Sequence, residues 1–388
     1  MDFLTAQEMA KKWGITPRQV QRLIAGGRIP GAKRLGHSWI IPADSEKPLD
    51  PRKARKTAVP LYPEFSILPA LYLHGGSLTA AVDRCKSEEE RTLLEANLAH
   101  LRGEPEEVRR LATPLCGEAT PPQLRLGSEL MRGIAALWLG DALAWKEVMQ
   151  ELTALTVPPF MQREKEFVIA ALNAGLHGQN VYPKWLEIGA FTGLSPALFP
   201  AARWVYTSIL YTKWKEVDLL AVAEPMIAEC RREQSDLCEI YLRLIAAAAC
   251  HDHEQVARAQ EHIDEAAALA QPLGLIAPFV EYRHILFSVM DPRLKEKYPE
   301  MLSIIKKKMP LFLDHWTRVY NGIWEKPMAD ELTPREFEAC MLAVRGMQIN
   351  EIANRMGISR NSVKKYLNTA YDKLSVEKRH QLSWFIHP

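Results

Sequence analysis

Between about Pro63 and Gly322 the chain interrupts itself at a nearly constant interval. Leu101-Arg102-Gly103-Glu104-Pro105, Leu139-Gly140-Asp141, Leu176-His177-Gly178, Tyr211-Thr212-Lys213 and His251-Asp252-His253 each separate two helix-forming stretches rich in alanine and leucine. With Gly103, Gly140, Gly178, Lys213 and Asp252 as markers, the intervals are 37, 38, 35 and 39 residues. A period of that length holds two helices and a turn. One such unit cannot bury its apolar stripe alone, so the units must stack. The expected middle of the chain is therefore a helical solenoid over 63–322, each unit packed only on its neighbours. The expected fold class is mostly α.

The last 57 residues carry a different pattern. Thr333 can cap a helix, Pro334 suits its first position, and Glu336 closes a capping box. Phe337, Cys340 and Met341 form an apolar stripe that ends at Gly346. A second short helix is predicted over Ile349–Met356. Gly357-Ile358-Ser359 is then a tight turn, in which Gly357 takes positive φ, Ile358 plugs the core and Ser359 caps the next helix. In that third helix Val363, Leu367, Ala370 and Leu374 fall on one side, and Asn361, Lys364, Lys365 and Asn368 on the other. Lysines and asparagines near a helix N-terminus reach phosphates and base edges. Taken alone, two lysines more often mark a solvated face.

This segment resembles the LuxR/GerE family of bacterial DNA-binding domains through its Leu-Thr-Pro-Arg-Glu opening, Glu351-Ile352-Ala353 and Ser359-x-x-Ser362-Val363-Lys364. The resemblance implies a helix-turn-helix head over 330–388, with Lys364, Lys365 and Asn368 facing the groove and a dimerising fourth helix over Val376–Ile386. The candidate DNA-contacting set at this end is Ser359, Asn361, Lys364, Lys365 and Asn368. Ser362 and Tyr366 stand where the family usually has Thr and His, and Asn350 where a basic residue is common.

The other end repeats the logic. Leu4-Thr5-Ala6-Gln7-Glu8 reads as staple, cap and capping box. Trp13-Gly14-Ile15 is a turn, and Thr16-Pro17-Arg18-Gln19 opens a second helix with Val20, Leu23 and Ile24 inward. Lys33-Arg34-Leu35 and Trp39-Ile40-Ile41 look like two short strands around Gly36-His37-Ser38. The run Gly27-Arg28-Ile29-Pro30-Gly31-Ala32 with Trp39-Ile40-Ile41-Pro42 resembles the winged helix-turn-helix of the MerR/excisionase superfamily, over 1–45. By that resemblance Arg18, Gln19 and Arg22 meet the major groove, and Arg34 and His37 on the wing meet the backbone or minor groove. The alternative is a head that has lost DNA and docks protein.

Charge follows this division. Residues 1–56 carry 12 basic and 5 acidic side chains, residues 57–329 carry 28 and 35, and residues 330–388 carry 9 and 7. Basic ends suit DNA; the acidic centre suits another task. The stretch 46–62, with its prolines and few large apolar residues, reads as a linker. Ala257-Arg258-Ala259-Gln260 through Ala268–Phe279 resembles the last repeats of the tetratricopeptide-like sensor domain in MalT-type LuxR regulators, although no Walker A sequence is present. Trp138, Trp145, Trp185, Trp204 and Trp214 either line a pocket or fill gaps between helices.

Several classes are excluded. No apolar run reaches the roughly 18 residues of a membrane span, and the start lacks the basic and apolar regions of a signal peptide. The six scattered cysteines, with no CxxC, suggest reduced thiols and a cytoplasmic setting. Cys250, His251, His253 and His262 lack a matching second ligand pair, so no metal or other cofactor is expected. No catalytic constellation stands out, so no enzyme is expected. The reading is a transcription regulator that binds double-stranded DNA as a homodimer, with the solenoid receiving a small molecule or a protein partner. The alternatives are a solenoid-based interaction factor and a DNA-architectural or recombination accessory protein.

Overall fold

At the N-terminus Thr5 and Glu8 form a reciprocal capping box, which starts α1 (Ala6–Trp13). Gly14 ends it in the left-handed conformation at φ 63°. The next helix, α2 (Pro17–Ala25), opens on a second box between Thr16 and Gln19. Three strands complete this unit: β1 (Phe3–Thr5), β2 (Lys33–Leu35) and β3 (Ser38–Pro42), in the antiparallel order β1-β3-β2. The hairpin β2–β3 is the expected wing. The third strand, β1, pairs Leu4 with Ile41 and closes a small core of Met9, Ala10, Trp13, Val20 and Ile41.

A computed structural model describes residues 3–25, 29, 32–35, 38–43, 45, 66–176, 182–213, 218–323, 332–344, 346–374 and 376–384. The linker expected over 46–62 and the marker Gly178 lie outside them. The chain divides into two compact units, Met1–Leu61 and Tyr62–Pro388.

The second unit is almost wholly helical. After a short α3 (Thr79–Val82), first helices begin at Glu88, Pro122, Gln162, Phe199, Asp236 and Ala277, close to the interval that the breaks predict. The pairs are α4 (Glu88–Leu101) with α5 (Pro105–Ala112), and α6 (Pro122–Leu139) with α7 (Ala142–Ala154). Then come α8 (Gln162–Gly175) with a short α9 (Lys184–Glu187), and α10 (Phe199–Lys213) with α11 (Leu219–Arg232). The last are α12 (Asp236–Asp252) with α13 (Val256–Ala270), and α14 (Ala277–Lys297) with α15 (Pro299–Ile323). Ser87, Asp141 and Asp218 cap helices α4, α7 and α11. Gly140 ends α6 in the left-handed region; after α12 the same role falls to Glu254 at φ 60°.

The stack does not pack on sequence neighbours alone, as a linear solenoid would. Its last long helix, α15, lies across the C-terminal ends of three earlier first helices. Lys308 donates to Gly103 O at 2.7 Å, Trp316 Nε1 donates to Gly175 O at 2.9 Å, and His315 Nδ1 lies 2.6 Å from Trp138 O. A lysine there also meets the negative end of the helix dipole. Ile276 N donates to Leu101 O, and Asp236 N to Leu73 O, which ties early and late segments together. The array closes on itself and leaves a cavity inside.

Close approach fixes Gly127. An added Cβ at Gly127, within α6, would lie 2.4 Å from Ile67 O and 2.6 Å from Leu93 Cδ2. Gly127→Ala is expected to destabilise this unit by about 2 kcal/mol through overpacking, read as a lower midpoint in thermal unfolding.

Candidate nucleic-acid interface

The C-terminal head is built from α16 (Pro334–Val344), α17 (Ile349–Met356) and α18 (Arg360–Leu374). Thr333 N donates to Glu336 Oε2 at 2.8 Å and Glu336 N to Thr333 Oγ1 at 3.4 Å, the expected box. Gly346 takes φ 82° and Gly357 φ 55°. Ser359 Oγ accepts from Ser362 N at 3.0 Å, so Ser359 sits at the helix entry as a cap. Val363, Leu367, Ala370 and Leu374 are buried. Asn361, Lys364, Lys365 and Asn368 are exposed. Their i, i+3, i+4, i+7 spacing puts them on one side of α18. Arg360, exposed at the start of this helix, extends the set. Sequence reasoning passed it over, though its place directly after the cap marked it.

In the N-terminal unit Arg18 is exposed on α2. Gln19 is exposed too, but its Oε1 accepts from Thr16 N at 2.9 Å, which leaves its amide nitrogen for an outside partner. Arg34 is exposed on the wing, paired in register with Trp39. The side chain of Arg22, and His37 as a whole, lie outside the described residues. Arg18 thus stands on α2 and Arg34 on β2.

Residues 330–385 match the family model described as bacterial regulatory proteins, luxR family. The C-terminal head is a LuxR-family helix-turn-helix. Residues 3–45 match a second model, described as helix-turn-helix domain. The two matches support a DNA-binding transcription regulator. No curated protein and no solved structure matches the chain significantly.

The net charge of the LuxR-family head understates its outer face. Arg335 pairs with Glu338 at 2.9 Å, and Lys373 with Glu336 at 2.7 Å. Arg379 donates to the carbonyls of Ala343 and Met347. Arg355 pairs with Asp252 of the helical array. These cations are spent within the fold, and the carboxylates Glu336 and Glu338 are buried with them. Among the described residues no ion pair involves Arg360, Lys364 or Lys365, so exposed positive charge gathers on the first turns of α18.

The head is docked rather than tethered. Every described side chain of α16 from Glu336 to Ala343 is buried, not only the predicted stripe. Phe337 meets Trp316 and Tyr320 of α15 edge to face, with ring centres 5.5 and 5.2 Å apart. The Arg355 guanidinium, 2% exposed, lies over the Tyr211 ring at 5.2 Å. Burial pulls its pKa down to about 9. Burial also pushes the Glu338 carboxyl up to about 7, against the pull of Arg335.

One expectation needs correction. Over Val376–Ile386 the described residues form a 3-10 run, Arg379–Trp384, instead of a fourth α-helix. Val376 and Leu382 are buried in their own head. The Arg379 bonds to the carbonyls of Ala343 and Met347 hold this segment against α16 and its following turn; the side chain of Trp384, and Phe385 and Ile386 as a whole, lie outside the described residues.

Proposed function

We propose that this chain is a sequence-specific transcription regulator that reads the major groove with α18 of its LuxR-family head. The observation that carries this is the outward polar face of α18: Arg360, Asn361, Lys364, Lys365 and Asn368 stay exposed while the opposite faces of the head are buried. In a helix-turn-helix the first helix crosses the backbone and the second enters the groove from its N-terminal end. Lys364 and Lys365 meet phosphate or guanine, and Asn361 and Asn368 carry the amide pattern that suits adenine. Ser359 orders the entry of that helix.

In this reading the N-terminal unit is a MerR/excisionase-like winged head that adds Arg18, Gln19 and Arg34 on flanking DNA. The middle is a tetratricopeptide-like sensor, supported by the recurring helix pairs. The working form is a homodimer on a two-fold site.

The test is selection of duplexes from a random pool with the full chain, followed by affinity against salt. Each phosphate contact contributes a slope of about −0.9. Three cations on α18 give about −3 per head, and a dimer about −6, before any share of the N-terminal head. A selected duplex bound no tighter than the random pool overturns the proposal. A slope near −3 at the selected site, unchanged by removing residues 1–56, removes both the dimer and the N-terminal contact.

A further inference from the structure

We propose that the cavity inside the helical array is a binding site for a small organic cation, an amine with an apolar body about the size of one ring. The proposal rests on the sensor reading given above and names its ligand class.

The cavity measures about 180 Å³. An enclosed apolar cavity of about 150 Å³ accommodates benzene, so this one fits a substituted ring. Its wall is apolar, and six aromatic rings, Trp138, Trp204, Tyr241, Tyr282, Phe312 and Trp316, are part of it. Of the five tryptophans singled out in the sequence, Trp138, Trp145 and Trp204 reach it; Trp185 does not, bonding Glu166 at 2.8 Å, and Trp214 lies outside the described residues.

Two carboxyl groups break the apolar wall. Glu281 of α14 accepts from Trp138 Nε1 at 3.1 Å and from Tyr241 Oη at 2.9 Å. These neutral donors orient it without neutralising it. The imidazole of His100 has Nε2 3.7 Å from Glu281 Oε1. Burial holds that ring's pKa near 4, so it is neutral at physiological pH. The Glu281 carboxyl is itself pushed up to about 7 by the same burial. The second group, Glu338, comes from the docked head. Its Oε2 accepts from Arg335, while its buried Oε1 has no hydrogen-bond partner among the described residues. A buried acceptor without a partner is costly, and a ligand N–H would remove that cost.

Ring faces carry negative potential and attract cations. Aromatic faces beside a carboxylate that has no counter-charge among the described residues therefore select an ammonium over an isosteric alcohol or acid. Because Phe337, Glu338 and Met341 of the head share the lining, an occupant touches the sensor and the DNA-reading module together.

The experiment uses the full chain at pH 7.5 and three probes of one shape: 2-phenylethylamine, 2-phenylethanol and phenylacetate. Binding is followed by calorimetry and by tryptophan fluorescence. The amine is expected to bind at least tenfold more tightly than the alcohol, with the acid weakest. Glu281→Gln is expected to bring the amine down to the level of the alcohol and leave the alcohol unchanged. No binding by any probe, equal binding by amine and alcohol, or an amine preference that survives Glu281→Gln would each overturn the proposal. The wild-type panel decides even if the variant fails to fold. Affinity for the selected duplex is measured with and without 2-phenylethylamine. An amine that binds but leaves DNA affinity unchanged keeps the site and removes the sensor role.

Discussion

Replacing Lys364 and Lys365 together by alanine is expected to reduce affinity for the selected duplex by on the order of a hundredfold or more. Contacts of this kind each contribute about 1–3 kcal/mol, and about 1.4 kcal/mol corresponds to a factor of ten. The two side chains are exposed and make no ion pair among the described residues, so the loss is not one of folding. Thermal unfolding should be unchanged, because exposed substitutions away from caps and ion pairs shift stability by no more than about 0.5 kcal/mol. The salt slope should fall by about one for each lysine on a phosphate. A lysine on guanine instead relaxes sequence preference at one position, so the salt series and the selection together assign each role. Unchanged affinity in the double variant would remove α18 from the groove. Lys373→Ala serves as a contrast: its ammonium is engaged by Glu336, and the expected effect is on the stability of the head.

What the sequence made legible was governed by local rules. The Thr333–Glu336 box, the positive φ at Gly357, the Ser359 cap and the buried row Val363, Leu367, Ala370, Leu374 all arise within a few residues, and each is in place. The period of the middle was legible because polar or glycine-containing breaks recur between alanine- and leucine-rich stretches, as at Gly103 and Gly140, which both take positive φ. What stayed hidden was set by partners far along the chain. Glu338 looks like a solvent residue on an amphipathic helix; in the docked head it is buried and lines the cavity. Arg355 reads as an exposed cation, and Asp252 as turn polarity, because their pairing spans 103 residues. Lys308, His315 and Trp316 carry no motif, yet they cap the ends of α4, α6 and α8. Strand β1 is too short for any alternation to show. The described part of Val376–Ile386 is a 3-10 run that Arg379 ties to carbonyls 36 and 32 residues earlier, a link no local pattern shows.

The Arg355–Asp252 pair supplies the sharpest test of docking. Breaking a buried ion pair from one side leaves the other charge in a low dielectric and costs about 3–5 kcal/mol, whereas replacing the whole pair by apolar side chains of similar volume is often neutral or stabilising. Here the asymmetry is pronounced. Arg355 is 2% exposed and its partner is 34% exposed. Two nitrogens of its guanidinium, Nε and Nη2, have no hydrogen-bond partner among the described residues. Asp252→Ala should therefore strand a buried cation and loosen the head. Arg355→Met should keep the head in place, since methionine fills the space over Tyr211 and brings no charge. The double variant should recover what Asp252→Ala alone loses. The readout is hydrogen exchange of α17 and α14, which pack against each other in the docked head. Faster exchange in Asp252→Ala, near-wild-type exchange in Arg355→Met and recovery in the double variant would identify desolvation of one arginine as the term that sets head docking. Equal loss in both single variants would mean instead that the pair itself is a net attraction, and that an occupant of the neighbouring cavity must compete with it before the head can move.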